Sequence, residues 1–233
     1  MDDLSDPRFH ARRLAIRDKV AALRAENSRH EASGGNDVRD IYAEAGCDAT
    51  AVPWADLAPK PELIDWLSRN PGQGMRAIDV ACGLGDNAEA ISAAGYRTTA
   101  FDLSRCAVDW ALQRFPETGV EYRQADLLDV PHEWRGAFDL VHECHTIQTL
   151  NGKARDKAFS AISDLLAPGG ILLVLASLRS EDAQVPGPPW PLTPSELARF
   201  AGFGLVHDSE RRFSVTWFGR EYPQIFQVWR RVR

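Results

Sequence analysis

The chain has 233 residues, is 44% hydrophobic and 26% charged, and carries a formal net charge of −6, a composition typical of a globular domain large enough to bury a full core. No apolar run approaches the roughly 20 residues that cross a bilayer, and MDDLSDPRFHARR lacks the apolar segment of a secretory leader, so the expected location is cytoplasmic, with no membrane partner. The four cysteines, Cys47, Cys82, Cys106 and Cys144, form no C-x-x-C pair, which argues against a zinc ribbon or disulfide scaffold and for reduced thiols.

Residues 7–29 read as an amphipathic helix with Phe9, Ile16, Val20 and Leu23 on one stripe, ended by Ser33-Gly34-Gly35-Asn36. A short helix over 37–45 follows, then a proline-rich connector carrying Trp54, then a helix over 62–68. From Met75 short apolar runs alternate with amphipathic helices. Strands are expected over 75–81, 97–103, 120–127, 137–143 and 171–178. Between them lie a helix over 86–94 stopped by Gly95, a second capped by Ser104 and ending near Phe115, and a third over 153–166 stopped by Pro168-Gly169-Gly170. Strands alternating with helices imply βαβ units and a mostly parallel sheet. ILLVLASL is the kind of run found in a strand buried on both faces. A proline-rich loop, VPGPPWPLTP, precedes a helix over 195–204 and two strands, 204–212 and 222–231, which form an antiparallel hairpin. Residues 211–233 hold six arginines against one glutamate, interleaved with strand-forming residues; this reads as a solvated strand end, and no nucleic-acid partner is expected.

The stretch Ala77-Ile78-Asp79-Val80-Ala81-Cys82-Gly83-Leu84-Gly85-Asp86-Asn87-Ala88 takes a buried strand through a tight glycine turn into a helix. Small residues there let a ligand approach the backbone closely. Gly83, Gly85 and Ala88 match G-x-G-x-x-A, a dinucleotide fingerprint, and Asp102 ends the next strand, where an acid accepts ribose hydroxyls. Asp79 separates the ligands. A carboxylate at the turn entry repels a pyrophosphate and attracts an ammonium, and S-adenosylmethionine carries an ammonium and a sulfonium but no phosphate.

D-x-x-C-G-x-G over residues 79–85 resembles the first motif of class I S-adenosylmethionine-dependent methyltransferases, with Ala81 in place of the first glycine. The resemblance continues in order. Asp102, with Leu103, matches the ribose-binding acid, and Asp126-Leu127 matches the adenine-site pair. FDLVHECHTIQTL looks like the fourth-strand motif, and LAPGGILLVLAS like the lead into the fifth strand. It implies S-adenosyl-L-methionine as cofactor, held by Trp54, Asp79, Ala81, Cys82, Gly83, Gly85, Asn87, Asp102, Leu103, Asp126, Leu127 and Glu143. It also implies an α/β fold: a Rossmann-like, mostly parallel seven-stranded sheet with helices on both faces, a C-terminal antiparallel hairpin, and an N-terminal helical cap (1–70) over the cofactor site of a 71–233 core. VPWADLAPKPELIDWL and PGPPWPLTPSEL resemble segments of the thiopurine and tellurite-resistance methyltransferase group, which acts on small heteroatom nucleophiles and needs no metal.

His142-Glu143-Cys144-His145 contains only metal-ligating types, but neighbours on a strand face opposite ways, so no metal site is expected. Glu143 and His145 lie at the sheet's C-terminal edge, where open α/β sheets bind ligands. Both are candidate catalytic groups, His145 as a general base of near-neutral pKa. Cys144 reads as structural. Trp190 and His145 follow adjacent strands and are expected to form the acceptor pocket, a small aromatic acceptor stacking near Trp190. The expected function is methyl transfer to sulfur, oxygen or nitrogen of a small-molecule acceptor. The alternatives are an NAD-dependent oxidoreductase, for which no Tyr-x-x-x-Lys pattern is present, and a non-catalytic cofactor binder. No N-P-P-Y-like sequence follows the fourth strand, which argues against a nucleic-acid base as acceptor.

Overall fold

Seven strands build one sheet in the order β3-β2-β1-β4-β5-β7-β6. A computed structural model of the chain describes residues 36–46, 48–52, 54–185, 187–217 and 220–232; the helix expected over 7–29 lies outside them, as does Cys47. The strands are β1 (Arg76–Val80), β2 (Arg97–Asp102), β3 (Glu121–Gln124), β4 (Phe138–Cys144), β5 (Leu166–Ser177), β6 (Leu205–Trp217) and β7 (Arg220–Arg231). Neighbours from β3 to β5 run parallel; β7 is antiparallel to both β5 and β6. This is the Rossmann-like sheet with a C-terminal antiparallel hairpin that the sequence predicts. Among the described residues, no helix is long and apolar enough to cross a membrane.

The apolar runs are buried on both faces because helices cover both. In β5, Leu172, Val174 and Ala176 join a cluster with Ile78, Val80, Phe159 and Ile162, while Leu173 and Leu175 join the opposite one with Leu63, Trp66 and Ile91. The first face is covered by α5 (Gly152–Leu165), the second by α2 (Pro61–Arg69) and α3 (Asp86–Ala93). Proline at the start of α2, Glu62 in its first turn and Arg69 in its last fit the helix dipole. Ser104 caps α4 (Arg105–Arg114) as expected, its Oγ accepting the Ala107 N–H at 3.3 Å. α1 (Asn36–Ala45) packs outside this core, Tyr42 and Ala45 meeting Leu84 and Trp110.

Several boundaries differ from expectation. β5 starts at Leu166, ahead of Pro168-Gly169-Gly170: Leu166 already pairs with Phe138, and the ladder resumes at Leu140 with Ile171, so the Pro-Gly-Gly run is accommodated as an irregularity inside the strand. β3 ends early because the Asp126 carboxylate accepts the Leu128 N–H and opens a 3-10 turn, Leu127–Asp129. The helix expected over 195–204 divides into α6 (Pro194–Leu197), opened by a Thr193–Glu196 capping box, and a 3-10 stretch, Ala198–Phe203, which closes on left-handed Gly204. The β6–β7 hairpin is longer than predicted. Strand order reverses at β1, which lies between β2 and β4, and the crevice at the C-terminal ends of these strands is where ligands bind in open α/β sheets.

Candidate active site

β1 runs into the glycine loop through left-handed residues: Ala81 (φ 52°), Gly83 (φ 54°) and Gly85 (φ 91°). The two glycines face different neighbours. A Cβ on Gly83 would stand 2.9 Å from the Tyr42 hydroxyl; one on Gly85 would stand 2.2 Å from that of Tyr122. Gly83 therefore faces the N-terminal segment, whereas Gly85, the residue preceding α3, faces the body of the domain. Tyr42 is tied in turn to Trp54, whose Nε1–H donates to the Tyr42 hydroxyl at 2.7 Å, the rings meeting edge-on. Tyr42 escaped the sequence reading; only its bonding partner Trp54 was singled out there.

Asp102, at the end of β2, is buried. Its Oδ2 accepts the Gly83 N–H at 3.0 Å and its Oδ1 the Ser104 N–H at 2.8 Å. Burial pushes its pKa up to about 6, opposed by those two hydrogen bonds. Each oxygen has taken one donor and keeps a lone pair. Asn87 accepts the Lys60 N–H at 2.9 Å, joining the start of α3 to the segment before α2. Leu127 is buried in the core and Leu103 is half-buried. Burial pushes the Cys82 thiol pKa well up, so that side chain stays a neutral wall of the loop.

The parallel register sets Asp79 beside His142 and Val80 beside Glu143. Asp79 Oδ1 lies 2.7 Å from His142 Nδ1, both side chains being buried. The sequence reading treated this histidine only as part of a rejected metal run. Glu143 takes the opposite face, as strand alternation requires. Its Oε1 accepts the N–H groups of Thr146 (2.6 Å) and Ile147 (3.0 Å), which pins the turn after β4. Burial raises the Glu143 pKa to about 7 against those two bonds. Asp79 Oδ2, His142 Nε2 and Glu143 Oε2 are buried and have no hydrogen-bond partner among the described residues.

His145 sits in that turn at φ 61°, a conformation costing a non-glycine residue about 1–2 kcal/mol. Its Nδ1 is 3.3 Å from Gln148 Oε1. Burial first, and then the Lys60 charge, push its pKa down to about 4, a correction to the near-neutral value expected from sequence. Trp190 donates its N–H to the Gln148 carbonyl at 2.7 Å. It lines a cavity of about 470 Å³ with Arg155, Arg179, Val185 and Glu196, and His145 is not among the lining residues. Trp190 and His145 are thus linked through Gln148 without sharing that cavity.

Residues 78–174 match the family described as a methyltransferase domain. The matched segment contains the glycine loop, Asp102, Asp126 and Glu143. A ubiquinone biosynthesis O-methyltransferase of Aromatoleum aromaticum is 34% identical over 113 residues, 47% of each chain. A cypemycin N-terminal methyltransferase of a Streptomyces species is 28% identical over 133 residues, 56% of this chain and 54% of the relative. The chain spans about half the length of the curated relatives it matches. The magnesium protoporphyrin IX methyltransferase of Synechocystis PCC 6803, solved with S-adenosylhomocysteine bound, superimposes with a TM-score of 0.67 at 16% identity, over 85% of this chain and all of that one, and shares its fold. The residues of the site fit the S-adenosylmethionine expected from the sequence. Asp79 and Glu143 each hold a buried carboxylate oxygen without a partner, suited to a cationic or N–H donor. The guanidinium beside the loop, Arg114, is already held by Asp86 in a bidentate pair, which leaves it poorly placed to neutralise a pyrophosphate.

Proposed function

We propose that this domain transfers the methyl group of S-adenosylmethionine to an oxygen, nitrogen or sulfur atom of a small molecule. The observation that carries the reading is the unpartnered, buried Asp79 Oδ2 at the mouth of a glycine loop. Asp79 would receive the ammonium, Asp102 the ribose hydroxyls, and Asp126 with Leu127 the adenine. Ala81, Cys82, Gly83, Gly85 and Asn87 would give the close backbone approach, with Leu103 and Glu143 at its edges. The described part of residues 1–70 would cap the 71–233 core, with Tyr42, bonded to Trp54, beside Gly83. When bound, the cofactor supplies an electrophilic methyl carbon on a sulfonium.

The protein's own task is then to hold the acceptor in line and keep water out. His145 stays neutral at ordinary pH, so its lone pair is free to take a proton from a phenol or an amine. Its low pKa makes it a weak base, and an ionised thiol needs none. The relatives act, by their names, on oxygen or on an N-terminus, which favours a heteroatom acceptor. The tryptophan segment at 52–67 and the proline-rich loop at 186–197 favour the thiopurine and tellurite-resistance group and a soft sulfur nucleophile. The acidic centre of the chain argues against a polyanionic acceptor, and a cytoplasmic small molecule is the acceptor in view.

Titration calorimetry with S-adenosylmethionine, S-adenosylhomocysteine and NAD, followed by methyl-labelled transfer to thiophenol, catechol and aniline, tests this. Binding of the two adenosyl compounds, no heat with NAD, and label in at least one acceptor are expected. Preferential NAD binding would overturn the reading; cofactor binding with no transfer to any acceptor would convert it to the non-catalytic alternative.

A further inference from the structure

Gln148 is buried, lies four residues beyond the end of β4, and touches three separate parts of the domain. Its side-chain Oε1 accepts the Ser177 N–H at 2.8 Å, at the end of β5. Its main-chain carbonyl accepts the Trp190 N–H at 2.7 Å, in the proline-rich loop. Its Oε1 also lies 3.3 Å from His145 Nδ1. The atom facing Ser177 must be the amide oxygen, because a backbone N–H can only donate. An oxygen that accepts cannot also donate to the imidazole, so the proton between the two side chains belongs to Nδ1. His145 is then the Nδ1–H tautomer, and Nε2 carries the lone pair. The backbone carrying that ring is fixed as well: Glu143 grips the N–H groups of Thr146 and Ile147, and the His145 N–H donates to Leu175 O at 2.8 Å, so the main chain of the turn is held from both strands.

We propose that Gln148 is a positioning residue: anchored on the end of β5, it fixes the tautomer and orientation of His145 so that Nε2 is the atom presented to the methyl acceptor. The role deepens the reading of His145 as a base and rests on it. A histidine in water prefers the proton on the other nitrogen, so without an acceptor at Nδ1 the wrong atom would carry the lone pair. Gln148 supplies that acceptor without charge. The charged and titratable groups acting on the ring are Lys60 and His142, which lower its pKa, and Asp56, which raises it. A neutral amide beside Nδ1 selects the tautomer while adding no carboxylate to that balance.

Two variants of the full chain test the proposal. Gln148→Glu keeps an oxygen for both donors but adds a charge, so the His145 titration midpoint is expected to rise by about one pH unit or more. Gln148→Leu removes the acceptor while leaving the main-chain bond to Trp190. In ¹⁵N-resolved imidazole spectra, wild type and Gln148→Glu should show Nδ1 protonated, and Gln148→Leu should shift towards the Nε2–H form. With catechol as acceptor, Gln148→Leu should lower kcat about tenfold or more, with a smaller change in KM. An Nε2–H tautomer in wild type, or an unmoved midpoint in Gln148→Glu, overturns the proposal. The spectra need no turnover, so the two readings fail separately: a His145→Ala variant that methylates catechol at the wild-type rate removes the base, while the tautomer still decides what Gln148 does.

Discussion

The β1–β2 side of the site rests on residues close together in the chain: Asp79, the loop glycines and Asp102 form one short strand–turn–helix–strand unit, and Asp102 bonds back to Gly83 at 3.0 Å. The β4–β5 side is assembled from a distance. Its turn is pinned by Glu143, its histidine meets Gln148, and Gln148 in turn holds Ser177 and Trp190. The first side is rigid because local backbone geometry dictates it. The second is rigid only where buried polar groups find one another across strands, and such contacts can be changed one at a time. A cofactor common to many acceptors suits the first construction, and an acceptor site that must differ among relatives suits the second.

The largest effect is expected on the locally built side. Gly85→Ala places a methyl group 2.2 Å from the Tyr122 hydroxyl at φ 91°, and Tyr122 is itself bonded to Glu89 at 2.9 Å. Left-handed strain and overpacking together should cost about 2–5 kcal/mol, seen as a lower midpoint in denaturant. Gly83→Ala meets only the Tyr42 hydroxyl at 2.9 Å; it should leave more of the stability in place and weaken the cofactor instead. Equal losses of stability in the two variants would erase the distinction between a glycine facing the cap and one facing the core.

Next comes Asp102→Ala. It removes a charged acceptor for the ribose and leaves the Gly83 and Ser104 N–H groups without their partner. The cofactor Kd should rise about 10- to 150-fold, equivalent to roughly 1.5–3 kcal/mol, and calorimetry on the folded variant measures it. Unchanged affinity would place the cofactor elsewhere.

The same contrast decides what could be read from the chain alone. Asp79, Gly83 and Asp102 were legible because sequence order is spatial order across a βαβ unit, and the apolar run of β5 declared a strand buried on both faces. The Asp79–His142 pair was not, since its members stand 63 residues apart and only the register of β1 against β4 joins them. A hint existed: each is a polar residue inside an apolar strand, and a buried polar group needs a partner. Tyr42 was invisible because the short helix at 37–45 offered no sign of what it would cover. The depressed pKa of His145 depends on burial and on Lys60, far away in sequence, so the residue type alone pointed to the wrong value. The Pro-Gly-Gly run misplaced the start of β5 because pairing of Leu166 with Phe138 outweighed the local signal to break.

A smaller effect is expected at Glu143, from its titration. The folded protein holds the carboxyl proton up to about pH 7, whereas the unfolded chain releases it near 4.3. Between those values the native state binds more protons, so stability falls as pH rises and levels off above pH 7. His145 opposes this below pH 6.5, because there the unfolded chain binds the extra proton. Glu143→Gln keeps an oxygen for Thr146 and Ile147 and removes the titration. Between pH 6.5 and 8, wild type should lose stability on the order of 1 kcal/mol more than the variant. Parallel curves of unfolding free energy would mean that the folded carboxylate is already ionised, and that the turn carries a full charge.

The smallest effect belongs to Trp190→Ala. The indole packs against the backbone of Gly187, where an added Cβ would meet the ring at 2.7 Å. The structural ties of residue 190 are mainly main-chain: its N–H to Gln148 and its carbonyl to Arg155 at 3.0 Å. Alanine preserves both, so stability should change by less than about 1 kcal/mol. The cofactor Kd should change less than about threefold, near 0.65 kcal/mol. If the cavity of about 470 Å³ beside Trp190 receives an aromatic acceptor, the variant's KM for that acceptor should rise several-fold while kcat holds, because stacking is lost equally from the bound and reacting states. His145→Ala should do the reverse, lowering kcat for a phenol or amine and sparing a thiolate. The structure separates the two residues by placing only Trp190 on the cavity wall, and opposite kinetic signatures would match that separation. If Trp190→Ala leaves the KM of every acceptor unchanged, the cavity lies off the acceptor's path and the β4–β5 side works through His145 and its turn alone.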